Sequence, residues 1–209
     1  AGDASVTIDG PGATTTLNNN ITTNGENITI LDNVEIGDGL SITLSTGAAV
    51  AGDISITGTV NGTIDANDDN LALVSGTGST TITGAVGNVL GLGILTLQSN
   101  TGTETGTVTF ADDVIANTIT TFGQAYNIAI NKNATITNPV TFANIGSLTL
   151  GQSGGTQTYN GGLTATVNSS RTLSGTIQTS NDALTFGNVI LGANTSLDTN
   201  AVTGTSDLS

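Results

Sequence analysis

The densest run of groups able to do chemistry is Asp65-Ala66-Asn67-Asp68-Asp69-Asn70. Oxygen ligands at alternating positions in one loop are what a hard cation such as Ca²⁺ requires, so Asp65, Asn67, Asp68 and Asp69 are the candidate ligands of a calcium site. The run lacks the glycine and the terminal bidentate Glu of an EF-hand loop, and no Gly-Gly-x-Gly-x-Asp nonapeptide occurs. The competing reading is a solvated, Asx-rich turn ahead of a strand. Asp112-Asp113 and the stretch from Asp32 to Asp38 are thinner versions of the same pattern.

Catalytic chemistry has less to work with. The chain has no His and no Cys, so a Ser-His or Cys-His nucleophile cannot be assembled and zinc loses its usual ligands. Paired carboxylates could still serve as acid and base in a glycosidase-like groove. Lys132 and Arg171 are the only basic side chains, however, and Tyr126, Tyr159 and four Phe the only aromatics to grip a sugar. The expectation is a protein that is not an enzyme. Gly91-Leu92-Gly93 and the run from Gly151 to Gly155 are not phosphate loops, since neither is followed by a Lys and a helix.

Two bases against 16 acids give a net charge of −14. Nucleic acid is a poor partner, because phosphate binding needs clustered Lys and Arg. An anionic membrane surface is disfavoured for the same reason, and no apolar run approaches the ~18 residues of a membrane span. The field would repel sister molecules at low salt and attract divalent cations. Without cysteine there is no disulfide framework from which to read a redox compartment. Residue 1 is Ala and Met is absent, so the numbering fits a mature terminus or a start inside a longer chain. Asn20, Asn27, Asn61, Asn133, Asn168 and Asn194 each open an Asn-x-Ser/Thr sequon, glycan acceptors where the source glycosylates secreted proteins. Lys132 and Arg171 read as solvated loop charges.

The elements that must position these groups are short strands. Ile42-Thr43-Leu44, Leu95-Thr96-Leu97 and Leu148-Thr149-Leu150 alternate apolar, polar, apolar, the period of a half-buried strand, and stand 53 residues apart. Thr81-Ile82-Thr83 recurs as Thr135-Ile136-Thr137, and Asn70-Leu71-Ala72-Leu73 as Asn127-Ile128-Ala129-Ile130. The offsets describe one repetitive domain over residues 1–209, in about three degenerate units of roughly 53–57 residues. Gly, Asn or Asp separates nearly all the strands, where left-handed backbone is cheap. No segment shows a helical apolar stripe, and the helix formers Glu, Lys, Arg and Met are scarce or absent.

Two all-β architectures fit. In a parallel β-solenoid, coils of roughly 20 residues stack, and Ile/Leu/Val ladders pile up inside while Thr/Asn ladders pile up outside. In an antiparallel β-sandwich, the alternation would serve two facing sheets, with segment 1–17 as a strand exchanged between subunits. The internal repeat favours the solenoid.

The phrases Gly52-Asp53-Ile54-Ser55-Ile56-Thr57-Gly58-Thr59-Val60-Asn61-Gly62, Gln157-Thr158-Tyr159-Asn160-Gly161-Gly162-Leu163 and Leu191-Gly192-Ala193-Asn194-Thr195-Ser196-Leu197-Asp198 resemble bacterial β-strand-repeat surface proteins. That group comprises autotransporter passengers, two-partner-secretion haemagglutinin-like exoproteins, and surface-layer or filament proteins. The resemblance implies surface display, a β-solenoid, and adhesion or coat formation, and it carries no catalytic residues. The expected role is that of an extracellular structural protein polymerising into a layer, filament or fibre through strand edges. The alternative is an adhesin module that binds a cell-surface or glycan ligand.

Overall fold

The alternation seen in the sequence is the alternation of the fold. A computed structural model describes residues 4–10, 12–65, 67–152, 154–192 and 194–200. Among them there are strands and turns and no helix. The first coil runs through β1 (Val6–Ile8), β2 (Thr14–Leu17) and β3 (Ile21–Thr22). The second repeats the triad as β4 (Ile28–Ile30), β5 (Asn33–Ile36) and β6 (Ser41–Ser45), and the third as β7 (Ile54–Ile56), β8 (Val60–Asn61) and β9 (Asn70–Val74). The fourth has β10 (Thr80–Ile82), a single bridging residue Val86, and β11 (Leu92–Leu97). The fifth has β12 (Thr107–Phe110) and one long strand, β13 (Val114–Thr120).

The triad then returns. It forms β14 (Asn127–Ile130), β15 (Ala134–Ile136) and β16 (Val140–Thr141), then β17 (Ser147–Leu150), β18 (Thr156–Tyr159) and β19 (Leu163–Ala165). The eighth coil holds β20 (Ser170–Leu173), β21 (Thr176–Gln178) and β22 (Leu184–Phe186), and β23 (Ile190–Leu191) and β24 (Ser196–Asp198) begin a ninth.

Each strand pairs in parallel with its counterpart one coil on, so the chain is a β-solenoid. The first face is a nine-stranded sheet, β1-β4-β7-β10-β12-β14-β17-β20-β23. The second face holds β2-β5-β8 and passes through Val86 to Val114, and the third holds β3-β6-β9-β11. Strand β13 turns the corner between them: Val114–Ala116 pair with β15, and Ala116–Thr120 with β11. The sandwich alternative is thereby excluded. Every strand pairing is parallel, and the only antiparallel contact among the described residues is the isolated bridge Ser180↔Asn200. Nor is the amino-terminal segment free to be exchanged. Val6 to Ile8 pair with Ile28 to Ile30, and Thr14 to Leu17 with Asn33 to Ile36, so these residues close the chain's own first coil.

The core is a stack of identical positions. On the first face the inward ladder runs Ile30, Ile56, Ile82, Phe110, Ile130, Leu150 and Leu173, all buried. Medium side chains suffice because each rung fills the same narrow space between three sheets. Coils differ in length, from 18 residues between paired Thr172 and Ile190 to 29 between paired Ile42 and Leu71. The difference lies in the corners, and the faces keep register. At the corner before the first face, a Cβ on Gly106 would collide with the Gly78 carbonyl, and one on Gly78 with the Gly52 carbonyl. This stack of glycines is what lets successive coils turn on top of one another.

The 53-residue spacing has a structural meaning for only one pair of anchors. Ile42 lies above Leu71, and Leu71 above Leu95, so 53 residues is two coils on the third face. Leu148 sits on the first face, in β17.

Candidate functional site

The corner between the second and third faces carries the acidic groups. In the second coil the turn after β5 closes through a hydrogen bond from Leu40 N to Gly37 O (3.0 Å), with Gly39 at φ 65°, and holds Asp38 at its tip. One coil on, the loop between β8 and β9 passes through Ile64 at φ 56° and Asn67 at φ 79°, and so bulges outward with Asp65 and Asp68. The two turns stack. One carboxylate oxygen from each of Asp38, Asp65 and Asp68 lies within 4.8 Å of the other two, and all three residues are exposed.

Of the four ligands expected from sequence, Asp65 and Asp68 therefore come together. Their third partner, Asp38, came from the other acidic stretch, which only the coil stacking brings near. Asn67 is exposed, and its backbone NH donates to Gly91 O (2.9 Å). Asp69 departs from the expectation. It is fully buried, and its Oδ2 accepts a hydrogen bond from Thr63 N (2.6 Å) across the base of the loop, while Oδ1 has no partner among the described residues. Strand alternation explains this: Asn70 begins β9 with its side chain on the outer surface, which turns its neighbour inward. Three carboxylates this close repel one another. Chemically they form one side of the all-oxygen shell that a hard divalent cation takes.

The other acids are structural. Asp32 is buried and receives Gly10 N (2.9 Å) and the Thr15 hydroxyl (2.8 Å), tying the first coil to the second. Asp112 pairs with Lys132 at 3.0 Å on the surface, and the hydrogen bond from that ammonium holds the carboxyl below its ordinary pKa. Asp113 Oδ1 accepts from Asn133 Nδ2 (2.9 Å) and Asn133 N (3.2 Å) of the next coil.

The sequons belong to the same pattern of links between coils. Asn20 accepts from Thr43 N (2.8 Å), Asn27 from Asp53 N (2.8 Å), Asn61 from Val89 N (3.0 Å) and Asn133 from Thr156 N (2.9 Å). Asn168 is buried and donates to Asn144 O (2.6 Å). Asn194 alone of the six is exposed without such a link among the described residues.

Two polar clusters were not anticipated. Arg171, read as a solvated charge, is 6% exposed. Its guanidinium donates to Ala165 O (2.5 Å), Thr166 O (2.5 Å), Asn168 O (2.7 Å) and Asn188 O (2.9 Å). It occupies an inward rung of β20, directly below Leu148. The only sequence signal is that Arg171 falls in phase with the apolar ladder. The second cluster fills the corner between the third and first faces. Buried Gln98 accepts from Ser75 N (2.9 Å) and Gly76 N (3.1 Å), and Glu104 accepts from Ser99 N (3.0 Å). The Tyr126 hydroxyl donates to Leu97 O (3.0 Å), and burial pushes its pKa up to about 12.

Compared with models of protein families, with characterised proteins and with solved structures, the chain matches none of them. The functional reading thus rests on its own geometry.

Proposed function

We propose that this chain is an extracellular structural protein that self-assembles end to end, through strand edges, into a filament or surface layer. The observation that carries the reading is the unbroken parallel register, so that the outermost described strands of the first face, β1 and β23, have outer edges of the same kind as every internal strand. The last described strands also expose apolar side chains, with Ile190 61%, Leu191 58% and Leu197 47% accessible. In the internal coils the equivalent rungs, Leu173 and Ile177, are buried by the following coil. Ile190 pairs with the outward Thr172, so the rungs that a following coil would cover are Leu191 and Leu197. Each is already about half buried, so covering it would favour association by less than the roughly 1.5–3 kcal/mol of a fully exposed side chain. The likeness to bacterial β-strand-repeat surface proteins agrees with this role and with display outside the cell.

The second reading is an adhesin module. It is favoured by a groove of about 520 Å³ lined by Gln152, Gly154, Gly155, Ser174, Thr176 and Asn194, uncharged and rich in polar backbone, as a glycan subsite would be. Electron microscopy of the purified, never-denatured protein separates the two. Ordered fibres or sheets of the protein alone are the expected result. Isolated short rods at every concentration would overturn assembly and leave the adhesin reading.

A further inference from the structure

Three Asn-Gly pairs occur in the chain, Asn24-Gly25, Asn61-Gly62 and Asn160-Gly161. This dipeptide loses its side-chain amide readily, because glycine sets no side chain in the way when its backbone nitrogen turns back on the preceding Asn Cγ. The sequence offers the three pairs equally, but the hydrogen bonds of the fold divide them. Gly25 N donates to Thr46 O (2.7 Å) and Gly62 N to Leu90 O (3.1 Å), each in the next coil, so both nitrogens are held away from attack. Asn61 is restrained further, since it lies in β8 and its Oδ1 accepts from Val89 N (3.0 Å).

Asn160-Gly161 stands between β18 and β19, outside both ladders. Gly161 N donates to no acceptor among the described residues, and the turn closes past it, from Gly162 N to Tyr159 O (2.9 Å). From one coil on, the Ser180 hydroxyl donates to Asn160 Oδ1 (2.7 Å). That bond draws electron density from Cγ, the atom to be attacked, and steadies the oxygen as negative charge develops on it. The pair thus combines a free nucleophile with a polarised amide.

We propose that Asn160 is a site of spontaneous deamidation that the fold singles out. Gly161 N bonds to Asn160 Cγ while the Cγ–Nδ2 bond breaks. The amide proton of Gly161 leaves with the departing ammonia, and a cyclic imide remains. Water then opens the imide at either carbonyl, giving Asp or, with the main chain rerouted through the side chain, isoAsp. Both products add negative charge to an already acidic chain. The isoAsp form also lengthens by a methylene a turn in which even a Cβ on Gly161 would meet Pro139 N at 2.5 Å.

The test is storage of the purified, folded protein at mildly alkaline pH. Peptide mapping follows the mass gain of amide-to-acid exchange at each pair, and enzymatic methylation reports isoaspartate. Asn160 is expected to convert roughly two- to tenfold faster than Asn24 or Asn61, the factor in rate that releasing one hydrogen-bonded nitrogen costs. In denaturant, where those bonds are gone, the three rates should converge. Ser180→Ala, with an unchanged circular dichroism spectrum, should slow conversion at Asn160. Equal rates at the three pairs in the folded protein, or a faster rate at Asn24 or Asn61, would overturn the proposal. So would a ranking in denaturant that matches the folded state. A folded Ser180→Ala protein that converts as fast as the wild type would overturn the part given to Ser180. Should that variant not fold, the wild-type comparison of folded and unfolded chains decides the proposal alone.

Discussion

The first face and the acidic corner of the second and third coils are built from the same repeat, but they store energy differently. On the face, each strand from β4 to β20 buries an Ile, Leu or Phe between its neighbours above and below, and its backbone is paired on both sides. At the corner, stacking brings three exposed carboxylates within 4.8 Å of one another, and the loop is held by a few separate bonds, from Thr63 N to buried Asp69, from the Thr63 hydroxyl to Ile36 O and from Asn67 N to Gly91 O. Stacking thus adds to stability where side chains are apolar and subtracts from it where they are charged. A solenoid can carry such an unfavourable corner because each coil is secured by the other two faces.

The sharpest way to break the comparison is inside the ladder. Arg171→Met should cost about 3–5 kcal/mol, because four buried or half-buried carbonyls lose their donor at once, and Arg171→Lys should recover little of it. Chemical denaturation measures both. A loss below about 1 kcal/mol would mean that water replaces the guanidinium. Next, Ile82→Ala at the middle of the first-face ladder should cost about 2–4 kcal/mol by leaving a cavity between Ile56 and Phe110. The same measurement checks it, and a near-neutral result would show that the coils collapse onto the gap.

These two sites also show how much was legible beforehand. The period-two alternation, the absence of helix and the stacking of coils follow from residues such as Ile54-Ser55-Ile56, because a parallel stack asks the same thing of every rung. Arg171 was not legible, since its partners are the backbone carbonyls of residues 165, 166, 168 and 188, which no residue type announces. The acidic corner was half legible. Asp65 and Asp68 are neighbours in sequence, but Asp38 joins them only through the turn stacked one coil earlier. The third anchor, Leu148-Thr149-Leu150, misled for a related reason: all three faces use one alternation, so an equal spacing can connect different faces.

Alkaline titration gives a smaller and more gradual effect. Burial raises the Tyr126 pKa to about 12, so the neutral phenol is favoured in the folded chain. Its contribution is fully present below the unfolded value near 10 and fades as pH rises from about 10 to 12. Burial raises Tyr159 in the same direction. Tyr126→Phe should therefore lower stability at neutral pH, by loss of the bond to Leu97 O, and flatten the decline above pH 10. Thermal melts across that range check it, and parallel curves for the two proteins would refute the assignment.

The smallest effect is expected at the acidic corner. Asp65→Asn should raise the melting temperature slightly at low ionic strength by relieving repulsion from Asp38 and Asp68. The gain should vanish near 1 M salt, where the screening length falls to about 3 Å. A destabilised variant would show that Asp65 is held by an attraction instead.

End-to-end association through the exposed apolar rungs is tested most directly by sedimentation velocity over a range of concentrations, with the wild type beside Leu191→Lys/Leu197→Lys. The wild type should grow into polydisperse, fast-sedimenting species as concentration rises, while the variant, with the same circular dichroism spectrum, stays a single slow species. A wild type that remains monomeric throughout, or a variant that polymerises equally well, would contradict assembly at this edge.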